Sequence, residues 1–423
     1  MAVDVPGTRE RAGGASERDL NKERDVETEQ LATGCEAIAE AIRLADVDVM
    51  AAYPIRPYDG VMQAAAKLIA NGKMDLEYIV ADGEHSQFEI VKHASAVGAR
   101  VFVGSSGVGW FYAFEAIAVT AGLRLPVVAI CGNRALDDPG AFGTEHNDSL
   151  AVRDLGWLLP WAETAQESMD LALMAWRIAE DKRVSLPIAI GLDGAFLTHS
   201  QQLVKVPTKA AVDAFLPKYD LGDRLLHPDN PITIAPQVDQ DWLMEIRRQN
   251  DNAMRQALTV ITEAHADFKK IFGRGGDSPF LDQYMTDDAE IVFFGQGTLA
   301  LPMKVAIRRL RKQGHKVGLV RLKWFRPFPT AEVVKSLSRF KAVGVIDRDY
   351  SFGSPYYGGV LYNEVRSALY SHAKRPTVVG FIAGLGGREI EQPMAQEIFD
   401  KTTAAAQGDL SVGDQCHWIG VRS

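Results

Sequence analysis

The chain has 423 residues, 47% hydrophobic and 24% charged, enough for two or three globular cores. Its net charge of −9 argues against a nucleic-acid-binding surface, and no apolar run reaches the ~20 residues of a membrane span. Three scattered cysteines, Cys35, Cys131 and Cys416, cannot ligate a four-thiolate iron–sulfur cluster and form no disulfide framework, which fits a reducing cytoplasm.

Residues 1–30 are polar and charged, with no apolar signal core, and read as a disordered or extended segment. From Gly34 the pattern alternates. "EAIAEAIRLA" has helical spacing and "VDVMAAYP" is a strand. "VMQAAAKLIANG" is a helix ending in glycine, and "LEYIVAD" a strand. "EHSQFEIVKHASAVGA" is again helical, and "RVFVGSS", "LPVVAICG" and "LPIAIGLDG" are further strands. Apolar strands alternating with helices predict a doubly wound parallel α/β sheet over 31–200. Residues 201–287 break the rhythm with a proline- and glycine-rich stretch, then a long amphipathic helix from about Asp241 to Phe272. Strand–helix alternation resumes at "AEIVFFGQGTLA" and marks a smaller α/β domain over 288–390, with 391–423 as a tail.

Four loops of the first domain follow strands, where α/β proteins bind ligands. They are "YPIRPY", "ADGEHSQ", "GSSGVGW" and "GNRALDDPGAFGTEHND". In order and spacing they resemble the alpha subunit of the thiamine-diphosphate-dependent 2-oxoacid:acceptor oxidoreductases, the pyruvate:ferredoxin oxidoreductase class. The resemblance rests on Tyr53–Pro57, Glu84–Ser86, Ser105–Ser106 and Asn133–Leu136 and spans about residues 31–390. It implies a first domain of the pyrimidine-binding type and a second of the transketolase C-terminal type.

The resemblance places Pro54, Ile55, Glu84, His85 and Ser106 against the cofactor. Glu84 would contact N1′ of the aminopyrimidine, where a carboxyl group favours the tautomer that removes the C2 proton. A glutamate in a first helical turn is also an ordinary dipole partner. His85 either lines the site or is a hydrogen-bonded core histidine. No Gly-Asp-Gly metal motif occurs: "LDGAFL" lacks the first glycine and "GGDS" lies in the connection. The resemblance therefore implies a half-site. Mg²⁺, the diphosphate, [4Fe-4S] clusters and FAD would belong to beta-, gamma- and delta-type subunits and a flavin/NAD subunit. No metal ligand is assigned to this chain.

On the substrate side the resemblance places Arg134, whose planar fork suits a carboxylate, with Asp137 beside it. Arg134 could instead pair with Asp137, Asp138 or Asp154. Arg56 stands where pyruvate-type relatives carry threonine, a departure shared with members acting on phenylglyoxylate or oxalate. Its alternative is a surface pair with Asp59. Trp110 begins an aromatic run that either walls a pocket for a phenyl ring or enters the core. The expectation is oxidative decarboxylation of phenylglyoxylate with coenzyme A, and oxalate oxidation is the runner-up. Two other readings stand beside it. Gly295-x-Gly297-x-x-Ala300 after a strand is a dinucleotide-fold fingerprint, and Arg321 and Lys323 could suit the 2′-phosphate of NADP. A non-catalytic assembly subunit is the third. Gly384–Gly387, followed by Arg388 and Glu389, reads as a turn at a subunit contact.

Overall fold

The computed structural model describes residues 27–137, 139–413 and 416–422. The first domain holds a five-stranded parallel sheet in the order Glu77–Val80, Val49–Ala52, Val101–Ser105, Val128–Asn133, Ile188–Asp193. The last three strands are buried along their whole length, as expected for strands covered by helices on both faces. Glu77–Val80 is the edge and is largely exposed. The helix Gly34–Leu44 starts at a capping box, in which Thr33 accepts from the Glu36 N–H and Glu36 accepts from the Thr33 N–H.

The second domain is a six-stranded sheet in the order Cys416–Trp418, Thr377–Ile382, Ala342–Asp347, Ile291–Gln296, Val317–Leu322, Leu281–Tyr284, with only the last strand antiparallel. The domains join through an antiparallel pairing of Leu159–Pro160 with Trp324–Arg326.

Three expected boundaries shift. Glu27–Ala32 is a strand, in antiparallel register with Gln202–Pro207 from Glu27↔Pro207 to Ala32↔Gln202. The end of the polar segment and the start of the connection thus satisfy each other's backbone groups; residues 1–26 lie outside the described residues. Leu281–Tyr284 forms a sheet edge rather than connection. The tail contributes the helix Gln392–Ala406 and the strand Cys416–Trp418 to the second domain. Such short pairings carry little periodic signal, because the partner strand, not the local pattern, decides them.

The long helix runs Gln240–Phe272 from an Asp239 cap to a left-handed Gly273. Its buried face begins at Ala253, so Trp242, Leu243 and Met244 stand exposed on the leading turns. Among the described residues no helix is long and apolar enough to cross a membrane.

Candidate active site

All four loops singled out in the sequence emerge at the carboxyl ends of parallel strands. Three side chains tie them together. Gln87 accepts from the Tyr53 N–H (2.8 Å) and donates to the Gly104 carbonyl (2.8 Å), joining the first and third loops to the helix Glu84–Ala96. Ser106, fully buried, accepts from the Tyr58 N–H at 3.3 Å. Asp148 accepts from the Gly107 N–H (3.0 Å), the Arg134 N–H (3.1 Å), Asn133 Nδ2 (2.7 Å) and the Ser149 N–H (2.8 Å). Sequence reasoning missed Gln87 and Asp148; an uncharged or acidic side chain inside a loop motif carries no signal of a bridging role.

Glu84 opens its helix after Gly83, with only 8% of its surface exposed. Among the described residues its carboxylate has no hydrogen-bond partner. A buried carboxylate normally has one, because desolvating it alone is costly. Any Cβ at Gly109 would collide with Glu84 Oε1 and lie 2.7 Å from Ile55 Cδ1. The glycine therefore keeps the approach to the carboxylate open. Pro54 is exposed on the same loop, and the Tyr112 ring lies against Gly83. This acidic, unpartnered, glycine-lined spot fits the hydrogen-bonding edge of an aminopyrimidine. His85 is no core histidine: it is partly exposed, with Nε2 3.5 Å from Glu115.

Arg134 is buried. Its Nη2 meets Asp137 at 3.3 Å, its guanidinium faces the Phe142 ring at 5.6 Å, and its Nε has no partner among the described residues. It runs along Gly107, where φ is +52° and a Cβ would sit 2.5 Å from Nε, so only glycine fits. The Asp137 pairing considered in the sequence is therefore present; Asp138 lies outside the described residues, and Asp154 pairs with Arg153 and Arg326 instead. Arg56 is 74% exposed and 3.7 Å from Asp59, and it shares no partner with Arg134.

Trp110 is corrected. It is fully buried and packed edge-on against Phe88 (5.2 Å) and Trp157 (6.1 Å), in the core. An indole this large is drawn to the core wherever a cluster of rings can enclose it. Near these loops Tyr112 is 66% exposed and Phe142 72% exposed, with Phe114 at 48%.

The dinucleotide fingerprint has another occupant. Gly297 and Thr298 turn around Asp193 of the first domain, which accepts from the Thr298 N–H (2.8 Å), the Thr298 hydroxyl (2.5 Å) and Arg348 Nη1 (2.9 Å) and pairs with His146 Nε2 (2.8 Å). A protein carboxylate thus fills the place a phosphate would take. Burial alone would raise its pKa, but His146, Arg348 and Thr298 hold the Asp193 carboxyl well below the usual range. Arg321 and Lys323 are buried on Glu167 and Asp282 and are not free for a 2′-phosphate. The Gly384–Gly387 turn contacts its own first domain, Gly387 N–H donating to the Thr144 carbonyl. Burial pushes the Cys35 and Cys416 thiols up to about 12 and raises Cys131 well above its usual value, so none is a ready thiolate.

Residues 40–266 match the family described as pyruvate flavodoxin/ferredoxin oxidoreductase, thiamine diphosphate-binding, and residues 289–394 match pyruvate:ferredoxin oxidoreductase core domain II. The pyruvate synthase subunit PorA of Pyrococcus horikoshii is 38% identical over 390 residues, covering 92% of this chain and 96% of that protein. The alpha subunit of the NADH-dependent phenylglyoxylate dehydrogenase of Aromatoleum evansii is 34% identical over 388 residues, covering 90% and 92%. The ketoisovalerate oxidoreductase subunit VorA of Pyrococcus abyssi is 37% identical over 364 residues, covering 85% and 90%. In fold the chain resembles a 2-oxoglutarate:ferredoxin oxidoreductase from Magnetococcus marinus (TM-score 0.67, 16% identity, 90% of this chain and 66% of that one). It also resembles a split-gene transketolase (TM-score 0.51, 14% identity, 90% and 99%). The architecture is thus that of the thiamine-diphosphate-binding α/β enzymes. The chain belongs to the 2-oxoacid:ferredoxin oxidoreductase family, as an alpha subunit.

Proposed function

We propose that this chain is the alpha subunit of an enzyme that oxidatively decarboxylates an aromatic 2-oxoacid of the phenylglyoxylate type. With coenzyme A the products are the acyl-CoA, CO₂, a proton and two electrons. Thiamine diphosphate supplies the carbanion chemistry when bound. Glu84 holds the proton relay at the aminopyrimidine edge, and Gly109 and Ile55 shape its surroundings. Arg134 receives the substrate carboxylate, with Asp137 and Phe142 setting the guanidinium's place. Arg56 adds positive charge at the mouth.

The observation that carries the aromatic reading is the exposed Phe142 ring over the Arg134 guanidinium, with the exposed Tyr112 ring against Gly83, the residue before Glu84. The 34% identity to a phenylglyoxylate dehydrogenase subunit supports it; similarity to pyruvate and ketoisovalerate enzymes is of the same order. In "LDGAFL" Asp193 is already committed to His146, Thr298 and Arg348, which supports a half-site in which partner chains bring the diphosphate with Mg²⁺, the iron–sulfur clusters and a flavin passing electrons to NAD.

The test offers the native complex phenylglyoxylate, pyruvate, 2-ketoisovalerate and oxalate at equal concentration, with and without coenzyme A. The expected result is CoA-dependent turnover fastest on phenylglyoxylate. Fast pyruvate turnover with phenylglyoxylate inert overturns the aromatic reading. CoA-independent oxidation of oxalate overturns the acyl-CoA product as well.

A further inference from the structure

We infer that Asp148 is the positioning residue of the substrate side: it fixes the Arg134 guanidinium by bridging the two loops that confine it. The inference rests on the reading of Arg134 as the carboxylate receptor. Asp148 is fully buried and touches neither surface nor open space, so it does not act on substrate itself.

The geometry assigns it this work in three steps. First, one oxygen, Oδ2, accepts both the Gly107 and the Arg134 N–H groups, so a single atom sets the spacing of the two loops. The other oxygen accepts from Asn133 Nδ2 and the Ser149 N–H, which fixes the carboxylate plane. Asn133 is itself held, donating to Ser149 Oγ (2.7 Å) and accepting from Trp161 Nε1 (3.1 Å). Second, Arg134 has little else to orient it. Among the described residues its buried Nε has no partner and its one ion pair is the 3.3 Å contact with exposed Asp137. Its direction comes from the backbone it leaves and from Gly107, along which it lies. Third, the same loop continues two residues to Gly109, which abuts the Glu84 carboxylate. The bridge therefore sets the distance between the substrate receptor and the cofactor-side acid. Charge-assisted bonds of this kind are strong, and a misplacement of about 1 Å at a reacting centre costs on the order of a hundredfold.

An acceptor with four donors has no conservative replacement by an amide. In Asp148→Asn the new NH₂ faces either the Gly107 and Arg134 N–H groups or Asn133 and the Ser149 N–H, and donor meets donor in both cases. The experiment uses the native complex carrying Asp148→Asn, Gly107→Ala or Arg134→Ala. It measures KM and kcat for the best 2-oxoacid, and equilibrium binding of unreactive mandelate and lactate by protein fluorescence. Amide hydrogen exchange is followed over 104–110 and 132–136. The expected result for Asp148→Asn is weaker binding of the hydroxy acid that matches the substrate, by roughly ten- to a hundredfold. KM should rise in parallel, and exchange in both loops should be faster. Should Asp148→Asn not assemble, Gly107→Ala decides: it leaves Asp148 in place but disturbs both the loop backbone that the carboxylate holds and the Arg134 side chain lying along it, and it should weaken binding to a similar degree. Normal hydroxy-acid binding in an assembled Asp148→Asn or Gly107→Ala complex, with Arg134→Ala defective, overturns the inference and leaves the Arg134 reading standing. Normal binding in Arg134→Ala overturns both.

Discussion

Glu84 and Asp193 are both buried carboxylates near the carboxyl ends of the first sheet, and the chain treats them in opposite ways. Asp193 takes four contacts from donors, three on one oxygen from Thr298 twice and Arg348, and one on the other from His146 at the domain junction. Glu84 sits at a helix start with none among the described residues, faced by a glycine and an isoleucine methyl. A satisfied buried charge binds parts of the protein to one another, and removing it strands its partners. An unsatisfied one is a cost that folding carries for something outside the chain. The second sheet adds a third treatment. Asp347 and Asp349 are buried as neighbouring carboxyls, and together they accept the N–H groups of Val360, Leu361 and Tyr362.

The contrast is broken most directly at Glu84. Glu84→Gln keeps the volume and removes the acid, so turnover of the native complex should fall by about 10²–10⁴ while its melting temperature stays unchanged or rises. A melting temperature lowered as much as by loss of a paired charge would put Glu84 on the structural side. Asp193→Ala should do the reverse. It leaves Arg348 and His146 buried against each other, and should cost roughly 3–5 kcal/mol in denaturant unfolding of the complex. Loss of less than about 1 kcal/mol would show the junction to be held elsewhere.

Phe142→Ala sharpens the site half of the comparison. Removing the ring over Arg134 should weaken phenylglyoxylate by about ten- to a hundredfold and leave pyruvate little changed. An equal effect on both acids would make Phe142 a loop anchor. The smallest effect concerns the carboxyl pair. Burial first, and then the neighbouring carboxyl, raise the Asp347 pKa well above the ordinary carboxylate range. The folded chain therefore binds a proton the unfolded chain has released, and stability falls as pH rises from the ordinary carboxylate pKa toward the raised one. Asp349→Asn removes the like charge but leaves the burial, and should partly flatten that fall in melting temperature as pH rises above the ordinary carboxylate range.

Much of this was legible in the order of residues. Helix and strand periods marked both α/β domains, and motif spacing placed four loops on one end of the first sheet, with Glu84 at a helix start and Arg134 after a strand. Such features are local: period, caps and breakers act within a few residues of themselves. What the sequence left open depended on partners distant in the chain. Trp110 could be wall or core, and the rings of Phe88 and Trp157 closing around it made it core. Gly-x-Gly after a strand could take a phosphate, and Asp193, more than a hundred residues earlier, takes its place. Glu27–Ala32 gave no sign of being a strand until Gln202–Pro207 supplied its hydrogen bonds. The bridging of Gln87 and Asp148 is likewise invisible in a string of letters. A side chain's donors are chosen by whatever the folded chain brings within about 3 Å, and only the tertiary structure sets that distance.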